Sequence, residues 1–349
     1  MNAPKSICLL RLSALGDVCH CIPMVRALQR RWPAAQISWI IGRAEHRLVA
    51  AMPDIEFLLF DKRGGAAARA DLRRALKGQR FDVLLHAQVS LRANLLALII
   101  RADRRIGFDR VRAREGHSFV INQRIPAEPF QRQAEALLEF ARALDAEPLP
   151  ADRAPPMAQA DREFARKHQP EARRAVLISP CSSHPGRNWS AAGYAAVADW
   201  VMRSLGRPVV LIGGPSPIER AMGEAIVAVM RETPLNLIGQ DTLGQALAML
   251  ERAACLVAPD SGPVHFAAAL GTPVVGLYAA TWSRRSGPLG SLEHCVDRFP
   301  EAARRFARCE PEQLRWGKRI ERPGVMDLIE PADVIERLQL LFDAASRAS

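Results

Sequence analysis

Residues 255–271 read Cys255-Leu256-Val257-Ala258-Pro259-Asp260-Ser261-Gly262-Pro263-Val264-His265-Phe266-Ala267-Ala268-Ala269-Leu270-Gly271. The five residues before Asp260 have the length and apolarity of a strand buried on both faces. Asp260-Ser261-Gly262 is a small-residue turn, and Pro263 stands near the first helical position, where a missing N–H costs nothing. Small apolar residues then run to a stop at Gly271. A buried strand feeding straight into a helix is the repeating unit of a parallel sheet. It also turns free backbone N–H groups and the positive end of the helix dipole toward the space beyond the strand, which suits a diphosphate. Asp260 is placed to accept hydrogen bonds from nearby backbone or from sugar hydroxyls. His265, one turn up, reads either as a donor to a phosphate oxygen or as a satisfied structural histidine.

The same rhythm extends in both directions. Strands are expected at 174–179, 208–213, 235–238 and 273–279, with helices near 190–204, 217–231, 243–254 and 262–270. Upstream, strands are expected at 6–12, 36–42, 55–60, 81–87 and 104–108, with helices near 18–31, 44–52, 66–77 and 91–101 and a helical stretch at 131–144. Between the two sets lie Pro148, Pro150, Pro155 and Pro156, read as a linker or its approach. A chain of 349 residues is too long for one ordinary core. The expected organisation is therefore two α/β domains, 1–160 and 170–325, with parallel sheets facing a central cleft. The amphipathic segment Ala332 to Ala344, within 326–349, is free to pack back on the N-terminal domain.

Composition narrows the partners. The chain is 49% hydrophobic and 24% charged with a formal net charge of +11, which points to an anionic partner: a nucleic acid, an acidic membrane face or a phosphorylated substrate. Aromatics are 6%, with two tyrosines, too few for single-strand stacking platforms. No helix-turn-helix, zinc-finger or RNA-binding signature is present, so nucleic acid is not expected. Seven cysteines include no CxxC pair; Cys19-His20-Cys21 has no second ligand cluster, and no metal site is expected. Arg11 and Asp17 interrupt the apolar N-terminal run, making it a first strand in place of a signal peptide. No stretch approaches the roughly 20 apolar residues of a membrane span, so a cytoplasmic protein is expected, with weak peripheral residence on the inner membrane suggested by its charge.

In open α/β sheets, ligands bind beyond the carboxyl ends of the strands, so the loops there are informative. The first strand ends in Ser13-Ala14-Leu15-Gly16-Asp17. Asp17 either caps the following helix or faces the cleft as a general base for a sugar hydroxyl. Ser182-Ser183-His184-Pro185-Gly186-Arg187-Asn188-Trp189 and Gly213-Gly214-Pro215-Ser216-Pro217-Ile218-Glu219 follow two strands of the second half. Hydroxyls and Arg187 suit phosphate, and a carboxylate such as Glu219 suits a ribose diol.

Taken together, these residues resemble the glycosyltransferase family that contains the ADP-heptose:lipopolysaccharide heptosyltransferases. The resemblance is carried by Arg11-Leu12-Ser13-Ala14-Leu15-Gly16-Asp17, Gly107-Phe108-Asp109-Arg110, Arg112-Ala113-Arg114-Glu115, Arg187-Asn188-Trp189 and Asp260 to His265, continuing through Gly271-Thr272-Pro273-Val274-Val275-Gly276-Leu277-Tyr278. It implies the two-domain GT-B fold and inverting, metal-independent transfer with no cofactor beyond the donor substrate. Asp17 then corresponds to the proposed base. Ser182, Ser183, Arg187, Glu219, Asp260, Ser261, Gly262 and His265 fall at nucleotide-sugar positions. Ser13, Ala14, Gly16, Lys62, Arg63, Arg92 and Arg114 match positions facing a phosphorylated Kdo-lipid A or core oligosaccharide, each arginine also readable as a solvated charge. Two positions depart from the family: Arg187 stands where Lys is frequent, a planar fork in place of a point charge, and Ser261 where Thr is common. A relative using another sugar or core acceptor, and a non-catalytic nucleic-acid- or membrane-surface binder, are the alternatives.

Overall fold

A computed structural model describes residues 3–348. The chain divides into two units, Met1–Pro156 and Met157–Ser349, and each builds one six-stranded sheet. In the first unit the strands are β1 (Ser6–Leu10), β2 (Gln36–Gly42), β3 (Ile55–Phe60), β4 (Phe81–His86), β5 (Ala102–Gly107) and β6 (Gln123–Arg124). In the second they are β7 (Val176–Ile178), β8 (Val209–Leu211), β9 (Leu235–Asn236), β10 (Cys255–Pro259), β11 (Val274–Tyr278) and β12 (Val296–Asp297). The orders are β3-β2-β1-β4-β5-β6 and β12-β11-β10-β7-β8-β9, and every pairing is parallel. Read outward from β1 and from β7, the two sheets are wound alike, each reversing direction beside its first strand.

The helices of the first unit are α1 (Leu15–Arg31), α2 (Arg43–His46), α3 (Gly65–Ala75), α4 (Leu91–Ala97) and α5 (Gln133–Arg142). The second carries α6 (Gln159–His168), α7 (Ala191–Ser204), α8 (Pro217–Val229), α9 (Leu243–Arg252), α10 (Gly262–Ala269), α11 (Ser283–Ser286), α12 (Phe299–Ala302) and α13 (Pro331–Ala348). Central strands are buried along their length, as β1 and β10 show. That double-sided burial is why they read as continuous apolar runs.

Several boundaries differ from the sequence reading, each for a local reason. The helix expected over 44–52 shrinks to α2, because the chain tightens into i→i+3 turns (Leu48 N to Glu45 O, Val49 N to His46 O) before Pro53. The helix expected over 91–101 ends at Ala97, where the Arg105 guanidinium caps the carbonyls of Ala97 and Ile100. Residues 159–168, to which the sequence reading gave no element, are helix. This α6 buries Ala165 alone and is tied to α9 by Arg162 Nε donating to Glu251 Oε2 at 3.1 Å, so its charged sequence gave no periodic signal.

The terminal helix α13 contributes to the core of the second unit. Its Val334, Leu338 and Leu341 belong there with Val176, Leu211, Val257, Val275, Trp189 and Tyr194. Burying each of the three aliphatic side chains is worth roughly 1.5–3 kcal/mol, so the helix is part of what holds that sheet.

Candidate functional site

The first sheet reverses direction between β1 and β4, and the loops leaving those two strands are bound together. Gln88 Oε1 accepts from Leu12 N at 2.7 Å and from Ser13 N at 3.3 Å. Arg11, 5% exposed, donates to the Ala87 carbonyl and pairs through Nη2 with Asp17 Oδ2. The N-cap of α1 is Ala14, without a side-chain capping bond, and Asp17 lies in the first turn. Capping is therefore not what Asp17 does. Its carboxylate meets a buried guanidinium and the positive end of a helix, with 27% of the side chain still open to solvent.

The other first-unit candidates are spread more widely. Ser13 is half-buried and Ala14 exposed on the loop after β1, and Gly16 is buried in the first turn of α1. Lys62 Nζ pairs at 2.5 Å with Oε1 of Glu45, a buried carboxylate that the sequence reading did not single out. Gly42 makes room for that carboxylate, since a Cβ there would lie 2.3 Å from Glu45 Oε2 and 2.6 Å from Leu12 O. Arg63, Arg92 and Arg114 are exposed.

Behind this loop cluster sits a buried polar network. His86 Nε2 and His117 Nδ1 approach Asn94 Oδ1 at 2.9 and 3.1 Å, and His117 Nε2 accepts from Phe108 N at 3.0 Å. An amide oxygen only accepts, so both rings present N–H to Asn94, and His117, which accepts at its other nitrogen, is neutral. Burial pushes His86 down to about 3, with His117 adding to the effect, and burial, then Arg124, pushes His117 down to about 4. The middle motif is structural as well. Asp109 accepts from Val111 N at 2.8 Å and pairs with Arg112, while Glu115 accepts from Leu91 N at the start of α4.

The second sheet reverses between β7 and β10, and the sequence candidates converge there. Arg187 is 8% exposed and Asp260 9% exposed. Arg187 Nε donates to Glu321 Oε1 at 2.7 Å, and Nη1 stands 3.8 Å from Asp260 Oδ2. The loop carrying Arg187 is internally tied: Ser182 N donates to Asn188 Oδ1 at 2.8 Å and His184 N to Ser182 Oγ at 3.2 Å. Ser183 is exposed. Ser261 is the N-cap of α10, followed by Gly262 and Pro263; its Oγ is buried and has no partner among the described residues. His265 lies half-buried on the same helix. The spare hydroxyl and the helix N-terminus are donors suited to an anion, beside an arginine whose charge Glu321 and Asp260 balance.

Glu219 takes part in its own loop. Oε1 accepts from Gly214 N at 3.0 Å and Oε2 from Ser216 Oγ at 2.7 Å, which shapes the turn between β8 and α8. Asp241, beyond β9, was not singled out by the sequence. Burial pushes its carboxyl up to about 6, opposed by a backbone hydrogen bond and reinforced by Glu219. Its Oδ2 is buried and has no partner among the described residues. Both Asp241 and Gln88 follow strands, so the carboxyl-end rule applied to β4 and β9 would have found them. Glu321 lies in irregular chain and left no such signal.

Cys19 and Cys21 lie buried within α1, where burial pushes both thiols up to about 12. Protonated, inward-facing thiols are poor metal ligands. No described helix is long and apolar enough to cross a membrane.

The model of glycosyltransferase family 9 (heptosyltransferase) matches residues 69–314. The lipopolysaccharide core heptosyltransferase OpsX of Haemophilus influenzae is 34% identical over 341 residues, covering 97% of this chain and 98% of that protein. A family 9 glycosyltransferase from Veillonella parvula superposes with a TM-score of 0.75 at 21% identity, covering 98% of each chain. The Escherichia coli ADP-heptose lipopolysaccharide heptosyltransferase II superposes at 0.70 and 21%, covering 98% and 99%. Two doubly wound parallel units are thus the GT-B-like fold of those structures.

Proposed function

The chain belongs to glycosyltransferase family 9, and from that premise we propose that it transfers heptose from ADP-heptose to the Kdo/heptose inner core of lipopolysaccharide, with inversion and without a metal. The observation that carries this reading is Arg187, buried between Glu321 and Asp260 beside the N-terminus of α10. Glu321 and Asp260 balance the charge of Arg187 and fix its guanidinium, so what this reading offers a leaving diphosphate is oriented N–H donors of Arg187 together with the positive end of α10.

In this reading the donor's pyrophosphate lies against α10, and Ser261 Oγ, unpartnered in its buried position, donates to a phosphate oxygen. The nucleoside extends along the loops after β8 and β9. Asp17 serves the acceptor. Its Oδ2 is committed to Arg11, which leaves Oδ1 to take the proton from the attacking hydroxyl. The hydroxyl oxygen bonds to the anomeric carbon as the bond to the diphosphate breaks, and ADP departs with the electron pair. Attack on the face opposite ADP inverts that carbon. Phosphate on the acceptor is met by Arg63, Arg92 and Arg114, with Lys62 oriented by Glu45.

The test is incubation of the protein with ADP-heptose and deacylated Kdo-lipid A in EDTA, following ADP release and acceptor mass. A gain of one heptose supports donor, acceptor class and metal independence together. No transfer, with ADP-heptose still raising the melting temperature, keeps the donor and discards the acceptor. Neither effect discards the heptose assignment, and a panel of other nucleotide sugars then identifies the donor.

A further inference from the structure

The apolar side chains that the core leaves unused gather on one face of the first unit. Leu91, Leu95 and Leu98 are 57%, 42% and 63% exposed. Spacings of four and three residues place them on one side of α4, whose other side buries Ala93, Leu96 and Ala97. Beside α4, the loop after β5 carries Val111 at 79% and Phe119 at 92% exposure. The loop is fastened to the helix. Glu115 accepts from Leu91 N, and Asn94 Nδ2 donates to the carbonyls of Arg114 and Glu115 at 3.3 and 2.8 Å. The leucines and Phe119 therefore belong to one continuous surface.

The charge around that surface has one sign. Between residues 91 and 120 there are seven arginines and three carboxylates. Of the carboxylates, Asp103 is paired with Arg80, Asp109 with Arg112, and Glu115 is engaged by the start of α4. Arg92, Arg101, Arg110 and Arg114 are exposed on the same stretch of chain as the apolar side chains. An apolar stripe with an arginine rim has the chemistry of a surface that enters the interface of an anionic bilayer, apolar groups among the acyl chains and guanidiniums on headgroup phosphates. A second copy of the chain is a poorer occupant, because a two-fold contact would set the two arginine rims against each other.

We propose that α4 and the loop from Phe108 to Val120 form a docking face for an anionic phospholipid bilayer. Helix α4 starts just after Gln88, whose side chain holds the Asp17 loop. A lipid-anchored acceptor would thus leave the bilayer next to the carboxylate that activates it; this last step rests on the function proposed above, whereas the docking itself does not.

The experiment is co-sedimentation of the full chain with vesicles of phosphatidylethanolamine and phosphatidylglycerol, and separately with vesicles of phosphatidylcholine. The wild type is expected on the anionic vesicles and not on the neutral ones. A variant carrying Leu95→Ser, Leu98→Ser and Phe119→Ser is expected to lose binding by roughly tenfold for each side chain removed. It should melt at the wild-type temperature and keep wild-type transfer to the water-soluble, deacylated acceptor. Absence of wild-type binding to anionic vesicles, or equal binding by the triple variant, overturns the proposal. So does a wild-type dimer in sedimentation that the same variant dissolves without any vesicle binding. Vesicle binding of the predicted kind by a protein that transfers no heptose sinks the proposed function and leaves the docking face standing.

Discussion

Glu321 is the residue by which the anion site is most directly tested, because it touches the cation and is absent from every sequence motif. Replacing it with Ala removes the acceptor of Arg187 Nε, now at 2.7 Å. The guanidinium, with 10% of its side chain exposed, cannot turn to water. Asp260 stays at 3.8 Å, and at an effective dielectric near 20 that pair alone is worth roughly 4 kcal/mol before desolvation. The unpaired N–H of a charged group costs about 2–3 kcal/mol net, below the range for breaking an isolated buried ion pair, because Asp260 still neutralises the charge. In a unit of this size each kcal/mol moves the melting temperature by about 2–4 °C, so Glu321→Ala should melt roughly 5–10 °C lower. Glu321→Gln keeps a carbonyl acceptor in place and should lose only about 1 kcal/mol. The assay is thermal unfolding by circular dichroism, with and without ADP. Gln should retain the ADP-induced stabilisation, and Ala should lose most of it as Arg187 becomes free to move. If both variants melt with the wild type and bind ADP alike, Arg187 is not held by Glu321, and the account of the leaving-group site is wrong.

Asp17→Asn should reduce transfer by about 10²–10⁴-fold, the usual contribution of a general base, with ADP affinity unchanged by calorimetry; parallel loss of both would assign Asp17 to structure. Gly107→Ala should destabilise the protein by about 1–3 kcal/mol in urea titration, since its Cβ would lie 2.5 Å from His117 Nε2 and 2.6 Å from Ile121. A fully wild-type midpoint would mean that the loop yields freely. For pH, His86 and His117 are depressed to about 3 and 4 in the folded state, against about 6.5 unfolded. The unfolded chain thus binds more protons below 6.5. Stability from the two histidines is fully present above that pH and falls as pH drops toward 4, by about 1.4 kcal/mol per unit for each. His117→Gln should flatten the slope of unfolding free energy between those limits, and an unchanged slope would contradict the neutral network.

Much of this architecture is visible in the chain itself because it is built from strands buried on both faces. Residues 36–42, 55–60 and 255–259 are strands at the bounds that the sequence suggests; 255–259 is an unbroken buried run, whereas 55–60 carries Glu56 and is mostly half-buried. The edge strands Gln123–Arg124 and Val296–Asp297 are two residues long, too short for any pattern. Helix α6 hid behind its charges, because it packs on α9 with a face that buries Ala165 alone among its side chains and so shows no apolar stripe. The site divides in the same way. Asp17, Arg187 and Asp260 follow strands and could be found by position. Their partners Arg11 and Glu321 acquire their roles only through distance in space, and Glu321 is separated from Arg187 by 134 residues.

The last eighteen residues touch neither phosphate nor sugar in this account, yet α13 fills the second core with Val334, Leu338 and Leu341. Just before it, Ile329 accepts from Trp189 Nε1 at 2.9 Å, and Asp333 at its start pairs with Arg298. A nonsense codon just ahead of α13 would therefore behave as a loss-of-function allele while sparing every residue of the chemistry. The truncated chain would be cleared as a folding casualty, and adding donor or acceptor could not restore it. An affinity tag belongs beyond the end of that helix, never in place of it.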